Sequence, residues 1–256
     1  MRTPLPGLVV AAVLVLAGLA VPAAAAPDGP PVGVDFDYQL GGNRPVPDHV
    51  GVVVRDRTAA PLTGAYNVCY VNGFQTQASQ KRFWKRHWSL VLKRDGTAVT
   101  DEAWGEWLLD IRTDRKRTRL ARIMGRWVAG CADDGYAAVE YDNLDSFTRS
   151  HGLLDAADAN TYARKLVRRG HAAGLAVAQK NRAGWDGTAV GFDFAIAEEC
   201  ARWHECGSYV DHYGRHVLAV EYRKKDFRRA CRRWSDQISV VRRDLALSGH
   251  GVRRWC

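Results

Sequence analysis

Eight short runs rich in valine, alanine, isoleucine and tyrosine recur along the chain, and this repetition constrains the fold more than any other feature. Short apolar runs with β-branched and aromatic residues are typical of buried strands. In order they are VDFDYQL from Val34, VGVVVRD from Val50, AYNVCYV from Ala65, YAAVEYD from Tyr136, LAVAQKN from Leu175, FDFAIAE from Phe192, VLAVEY from Val217 and ISVVRRD from Ile238.

Segments with helical periodicity separate several of these runs. NTYARKLVRRGHAAG, residues 160–174, ends in Gly174 as a C-terminal stop, and helices are also predicted before the fourth and eighth runs. Alternating strands and helices favour a parallel sheet, because parallel neighbours need crossover connections. We therefore predict an α/β fold, a (β/α)8 TIM barrel, in a single domain over residues 27–256.

One stretch does not fit this repeat. WLLDIR from Trp107 could form a ninth strand, and residues 75–107 contain no clear helix. We predict a long loop over one end of the barrel. Its aromatic residues are candidates for packing, the commoner role, or for stacking on sugars: Phe83, Trp84, Trp88, Trp104 and Trp107.

The first 26 residues have the pattern of a secretory signal peptide. Arg2 precedes an apolar stretch from Leu8 to Ala20, and small residues follow up to Ala26. The stretch is shorter than the roughly 20 apolar residues that a spanning helix needs. We therefore expect a secreted, extracellular protein that starts near Pro27 and has no membrane partner.

Six cysteines in an exported chain of this size favour structural disulfides over a metal site. Cys200 and Cys206 are close in sequence, and we predict that they form a local disulfide. The sequence leaves the pairing of the other four open: Cys69, Cys131, Cys231 and Cys256.

The net charge of +9 raises the question of a nucleic-acid partner. Between Thr118 and Ala132, apolar residues recur at three- and four-residue steps, and arginines occupy the other face. The segment RKKDFRRACRRW from Arg223 behaves similarly. Solvated helix faces account for this charge better than nucleic-acid binding, and attraction to anionic cell-wall polymers is the remaining alternative.

Acidic and polar residues stand where the predicted strands end. In a TIM barrel the C-terminal ends of the strands line the mouth of the active site. These end residues include six carboxylates, and they are Asp37, Gln39, Tyr70, Asn72, Glu140, Asp142, Lys180, Asn181, Glu198, Glu199 and Glu221. Tyr38, Tyr141 and Asn143 are further candidates for contact with a sugar.

Carboxylates that face each other across a pocket can cleave a glycosidic bond. One protonates the leaving oxygen, and the other acts as a base or a nucleophile. Like charges and partial burial separate their pKa values, so that one holds a proton while the other stays ionised. Each acid taken alone could equally form a salt bridge or cap a helix, but the set indicates a catalytic site.

Five segments of the chain resemble glycoside hydrolase family 114. They are FDYQLGG from Phe36, VCYVNGFQTQ from Val68, GYAAVEYDNLDSF from Gly135, GLAVAQKN from Gly174, and DFAIAEEC from Asp193 with Glu205 and Cys206 after it. The resemblance implies a TIM barrel that acts as an endo-α-1,4-polygalactosaminidase on polymers of galactosamine and N-acetylgalactosamine. It covers roughly residues 35–244.

The resemblance also implies the two catalytic residues, Asp142 on the fourth strand and Glu198 on the sixth. Ala197 stands where the family usually has Asn. We expect Asp142 to be the nucleophile and Glu198 the acid/base, by analogy with other α-glycosidase barrels. Glu199 is the rival of Glu198, because an error of one residue in strand phase exchanges the two faces. The stereochemical outcome stays open at this point.

Two other functions remain compatible with the sequence. The chain could cleave another α-linked glycan, or it could bind polysaccharide without catalysis. We expect a monomer whose partner is a polysaccharide substrate, with no cofactor, no metal and no nucleic acid.

Overall fold

The computed structural model describes residues 27–256 and contains a barrel of eight parallel strands. All eight predicted strands are confirmed. They are β1 (Asp35–Gln39), β2 (Val50–Asp56), β3 (Tyr66–Asn72), β4 (Ala138–Asp142), β5 (Ala176–Lys180), β6 (Phe194–Glu198), β7 (Val217–Glu221) and β8 (Ser239–Arg243). Neighbours in sequence are neighbours in the sheet, and a ninth strand, β9 (Arg253–Trp255), pairs antiparallel with β8.

Six α-helices accompany these strands in residues 27–256. They are α1 (Lys81–Arg86), α2 (Asp114–Asp134), α3 (Ala156–Ala172), α4 (Cys200–Trp203), α5 (Cys206–Tyr213) and α6 (Lys224–Trp234). The three helices predicted from periodicity correspond to α2, α3 and α6. Within the described residues, no α-helix follows β1, β2 or β5, so the barrel carries fewer crossover helices than a regular (β/α)8 repeat.

Capping residues explain where the two long helices begin and end. The side chain of Thr113 accepts a hydrogen bond from the backbone N–H of Lys116 at the start of α2, and Asp155 does the same for Asp158 in α3. Gly135 and Gly174 then adopt positive φ angles of 95° and 77° just beyond the two helices. Gly174 thus acts as the predicted stop.

Side-chain alternation along the strands creates two cores. Residues of one phase fill the barrel interior, among them Phe36, Tyr38, Val54, Phe194 and Ile196. Residues of the other phase pack between the sheet and the helices. This division decides which strand-end residues point toward the barrel mouth.

The stretch between β3 and α2 corrects part of the sequence prediction. It contains the short helix α1, and two hairpins pair Lys93–Arg94 with Thr97–Ala98 and Thr100–Asp101 with Glu106–Trp107. The predicted ninth strand at Trp107 therefore pairs locally and does not join the barrel, because Leu108 and Leu109 bridge to Gln75 and Val91 instead.

The aromatic residues of this stretch divide by exposure. Trp84 is fully buried, Phe83 packs against it, and Trp88 contacts Trp107 edge to face. Trp104 is 60% exposed at the tip of the second hairpin. Packing is the role of most of the set.

Three disulfides stabilise the described chain, and the predicted Cys200–Cys206 bond is confirmed. Cys69–Cys131 joins β3 to α2, and Cys231–Cys256 joins α6 to the C-terminus. The predicted signal peptide, residues 1–26, lies outside the described residues. No described helix has the length and apolar composition needed to cross a membrane.

Side chains close the barrel where β8 meets β1. Arg243 is fully buried, pairs with Asp37 at 2.8 Å, and donates to the backbone oxygens of Tyr38, Ser248 and Val252. Trp255 on β9 adds a hydrogen bond from its indole N–H to the Phe36 oxygen at 2.8 Å. A buried ion pair thus replaces backbone pairing at this seam.

We expect Arg243→Met to lower the free energy of unfolding by about 3 kcal/mol, because three backbone carbonyl groups lose their buried donor and Asp37 keeps only Arg253 as a close cation. Urea denaturation followed by circular dichroism measures the loss. Arg254→Met on β9 is the matched control, since Arg254 is exposed. Equal losses in the two variants would show that Arg243 does not hold the seam.

Candidate active site

A cavity of about 510 Å³ opens at the C-terminal ends of the strands. Its lining combines six carboxylates with two cations, an acidic character opposite to that of the whole chain. The carboxylates are Asp56, Asp101, Glu106, Asp142, Asp145 and Glu198, and the cations are Arg149 and Lys180. This is the location where TIM-barrel enzymes carry their active sites.

Lys180 occupies the floor of this cavity at the end of β5. Its ammonium lies 3.1 Å from Asp142 Oδ1, 3.0 Å from Glu198 Oε2 and 3.4 Å from Glu140 Oε1, and the side chain is only 2% exposed. Burial lowers the pKa of Lys180, but the three carboxylates outweigh burial and hold it well above its usual value. Lys180 therefore carries a permanent positive charge between β4 and β6.

Asp142 is held in its ionised form. Burial raises its pKa, but the charge of Lys180, the Tyr70 hydroxyl at 2.8 Å and the Asn143 backbone N–H at 2.7 Å lower it below the usual value. The pKa of Tyr70 is itself raised by burial and by Asp142, so its hydroxyl stays a neutral donor. An ionised carboxylate at a cavity floor can act as a nucleophile.

Glu198 lies across Lys180 from Asp142 and has a different set of partners. Its Oε2 accepts from Asn181 Nδ2 at 3.3 Å and from Lys180, and its Oε1 accepts from the hydroxyl of Tyr222. The Glu198 backbone N–H donates to Asn181 Oδ1 at 2.9 Å. Asn181 and Tyr222 thus fix the orientation of this carboxyl group toward the cavity.

Glu140 lies below the cavity, one inward position before Asp142 on β4. It is fully buried, and Oε1 accepts from the Tyr38 hydroxyl at 2.6 Å. Burial raises its pKa to about 7, in spite of the opposing charge of Lys180. Glu140 is therefore a supporting group that substrate does not reach from the cavity.

The structure brings most of the predicted inward-facing residues together. Tyr38, Tyr70, Asn143, Lys180 and Asn181 line the cavity with the two candidate catalytic acids. Asn72 supports its wall, since its side chain donates to Glu106 at 2.8 Å and accepts from Asn143 at 3.1 Å. All of these remain predictions as substrate contacts.

Five predicted substrate-binding residues lie elsewhere, because their strands place them on the outer phase or beyond the strand. Asp37 and Gln39 belong to the seam, where Gln39 also contacts Arg55. The Tyr141 hydroxyl donates to the Leu166 oxygen on α3. Glu199 pairs with Arg202 at 2.8 Å. We no longer propose these residues as substrate contacts.

Glu221 is the fifth of these residues. It is fully buried on the outer side of β7, and Oε1 accepts from the Ala201 backbone N–H at 2.7 Å. Cys200 and Cys206 lie beside it, but their sulfurs form a disulfide and are not thiolate ligands. Burial raises the pKa of Glu221 to about 7.

Sequence reasoning missed several residues of the cavity wall. Asp101 and Glu106 belong to the second hairpin, together with Trp104, which the sequence did offer as a candidate for stacking on sugars. Arg149 pairs with Asp101 at 2.8 Å, and residues 245–247 also line the cavity. Burial raises the pKa of Glu106 to about 7, although the Asn72 hydrogen bond opposes this. Of the missed residues, only Tyr222 could have been found from the sequence, because it follows Leu218 and Val220 at steps of two and so faces the barrel interior as they do.

Comparison with known proteins identifies the family. The sequence profile of the glycoside-hydrolase family GH114 matches residues 18–256. The chain belongs to family GH114. The predicted family is therefore confirmed, and the chain is a glycoside hydrolase.

Solved structures agree with the GH114 barrel. Aspergillus fumigatus Ega3 in complex with galactosamine matches with a TM-score of 0.74 and 19% identity, over 92% of this chain and 100% of that one. The glycoside hydrolase domain of PelA from Pseudomonas aeruginosa matches with a TM-score of 0.57 and 17% identity, over 86% and 97% of the two chains. A comparison with curated proteins finds no match. At these identities the likeness shows the fold.

We expect Glu221→Gln to stabilise this GH114 barrel at pH 8 and to have little effect at pH 5. The folded state holds a proton on Glu221 up to about pH 7, whereas the unfolded chain releases it near its usual pKa of about 4.3. Wild-type stability therefore falls as the pH rises through that window.

Urea denaturation at both pH values tests this expectation. Glu205→Gln is the matched control, because Glu205 is exposed. A gain for Glu221→Gln that is the same at pH 5 and pH 8 would contradict the linkage.

Proposed function

We propose that this GH114 chain is a secreted, endo-acting enzyme that hydrolyses polymers of α-1,4-linked galactosamine and N-acetylgalactosamine. The observation that carries the proposal is the convergence of Asp142 and Glu198 on one ammonium at the floor of one cavity. Two carboxyl groups beside one linkage are what glycoside hydrolysis requires. Galactosamine bound by Ega3 supports an amino sugar as the substrate.

Asp142 is proposed as the nucleophile and Glu198 as the general acid/base. The hydrogen bonds and the Lys180 charge that keep Asp142 ionised suit attack on the anomeric carbon. Glu198 has no comparable backbone donor to its carboxyl group, and it faces the cavity where a leaving oxygen would lie. Glu199 is a weaker candidate for the acid/base, because both of its carboxyl oxygens accept from Arg202.

The separation of the two acids favours retention of the anomeric configuration. Asp142 Oδ1 and Glu198 Oε2 lie 3.1 Å and 3.0 Å from the same ammonium, so these two oxygens are at most about 6 Å apart, the sum of the two contacts. Retaining glycosidases separate their carboxyl groups by about 5–5.5 Å, whereas inverting enzymes need roughly 6.5–9.5 Å to admit a water molecule.

The charge of the cavity supports a cationic substrate. A deacetylated galactosaminan carries an ammonium group on each sugar, and the acidic lining would attract it while the basic outer surface would repel it. Trp104 at the rim offers an exposed aromatic face to a neighbouring sugar. An open cavity with such a rim suits cleavage within a polymer.

Ala197 does not weaken this proposal. It is fully buried in the core between the sheet and the helices, on the opposite phase of β6 from Glu198. Its side chain therefore contributes nothing to the cavity lining, and the catalytic pair does not depend on it.

Secretion is proposed from two features. Three disulfides in the described residues suit an oxidising compartment. The apolar N-terminal stretch with small residues after it has the pattern of a cleaved signal peptide, which leaves residues 27–256 as the mature domain.

We expect Asp142→Asn and Glu198→Gln each to lower kcat by about 10³-fold or more, because each removes a group that reacts or transfers a proton. Glu199→Gln, the neighbouring control, is expected to stay within a few-fold of wild type. Release of reducing ends from galactosaminan measures the rates. Normal turnover of Glu198→Gln with loss in Glu199→Gln would overturn the assignment.

We further expect cleavage of deacetylated galactosaminan to slow as salt rises, because counterions screen its attraction to the acidic cavity. Rates with deacetylated and acetylated galactosaminan at about 0.02 and 0.5 M NaCl test this, with chitosan as the control polymer. Cleavage of a different α-linked glycan alone would reject the substrate, and binding without oligomer release would reject catalysis.

A further inference from the structure

Lys180 contacts both proposed catalytic carboxylates at nearly the same distance. Its strand, β5, lies between β4, which carries Asp142, and β6, which carries Glu198. The contacts measure 3.1 Å and 3.0 Å, and the ammonium is almost completely buried. Among the described residues, no second lysine or arginine lies within 4.0 Å of either acid.

The charge of the two acids moves during a retaining reaction. A retaining reaction starts with an ionised nucleophile, here Asp142, and a protonated acid, here Glu198. When Asp142 bonds to the anomeric carbon, the glycosidic C–O bond breaks and the Glu198 proton goes to the leaving oxygen. Asp142 is then a neutral ester and Glu198 is ionised. Water later gives a proton to Glu198 and its oxygen to the sugar, which releases Asp142.

We propose that Lys180 is the shared counter-ion of this cycle, a positioning residue that pairs with Asp142 in the free enzyme and with Glu198 in the glycosyl-enzyme. The inference rests on the proposed function. One negative charge is present on the pair at each stage, and one fixed ammonium neutralises it at either location without moving.

The surroundings of Lys180 support this balance. Charged or titratable groups face it from every neighbouring strand: Glu140 and Asp142 from β4, Glu198 from β6, Tyr70 from β3, Tyr38 from β1, and Tyr222 after β7. Burial and neighbouring carboxylates raise the pKa values of the three tyrosines, which keeps them neutral. Because burial raises the pKa of Glu140 to about 7, Glu140 is protonated below that pH. It then adds no negative charge to the cluster around Lys180.

Lys180→Met tests the proposal, since methionine fills similar space without charge. We expect kcat to fall at least 100-fold and both limbs of the pH–rate profile to move to higher pH by one unit or more. The direction follows because removal of a cation from beside a carboxyl group favours the protonated form of that group. Lys180→Arg, which keeps the charge, is expected to keep both limbs near their wild-type pH.

Separate rates for the two steps give the decisive readout. A short galactosaminan oligosaccharide with a 4-nitrophenyl leaving group reports formation of the glycosyl-enzyme as a burst and its hydrolysis as the steady rate. The shared role predicts that both rates fall in Lys180→Met. A fall in only one rate, or unmoved pH limbs, would overturn it.

A double variant separates catalysis from folding. Lys180→Met combined with Glu140→Gln removes the ammonium together with the fully buried carboxyl group that it contacts at 3.4 Å, so the double variant is expected to fold even if the single variant does not. It should still show the shifted pH limbs. Recovery of wild-type limbs in the double variant would make Lys180 a purely structural partner of Glu140.

Failure of the proposed function is distinguishable from failure of this inference. If wild type releases no oligomers from galactosaminan, the function is rejected. Carbon-13 NMR titration of the Asp142 and Glu198 carboxyls in wild type and Lys180→Met needs no substrate. Unchanged titration of both carboxyls would then reject the counter-ion role by itself.

Discussion

The buried ammonium of Lys180 is the interaction on which the arrangement of acids at the C-terminal end of this barrel depends. Three carboxyl groups within 3.4 Å of one point, one of them fully buried, would repel one another without a cation among them. β5 supplies that cation from the strand between β4 and β6, so the order of strands in the sheet places positive charge between the two acids. Tyr38, Tyr70 and Tyr222 complete the cluster with neutral hydroxyl donors.

The barrel could be predicted because its strands are short apolar runs with a clear repeat, and all eight runs became strands. The absence of helices after β1 and β2 could not be predicted, because the loops after these strands have no apolar periodicity that would reveal or exclude a helix. The hairpins between β3 and α2 were also missed. Their strands are two residues long, which is too short for an alternating pattern.

Strand ends alone predicted the site residues incompletely, because the sequence does not say which face of each strand points into the barrel. Asp142 and Glu198 point inward, while Asp37 and Glu221, which the sequence also offered as strand-end carboxylates, point outward. Alternation tells which residues of a strand share a face, but not which face points into the barrel. If Tyr38 and Tyr70 had been known to point inward, the directions of the other side chains of β1 and β3 would have followed. Glu106 and Trp104 come from a hairpin that follows none of the eight barrel strands directly, and their approach to the cavity depends on long-range packing.

The separation of charge between the cavity and the outer surface would orient this glycoside hydrolase toward the cationic substrate proposed above. The excess of nine positive charges lies largely on helix faces such as those of α2 and α6, whereas acids outnumber cations in the cavity lining. A cationic polymer that meets the outer surface is repelled, and one that meets the barrel mouth is attracted, because a recessed acidic site focuses the field. The same acids would oppose catalysis if they raised the pKa of Asp142. Lys180 and the Tyr70 hydroxyl prevent this locally, so attraction of the proposed substrate and ionisation of the proposed nucleophile are compatible in one pocket.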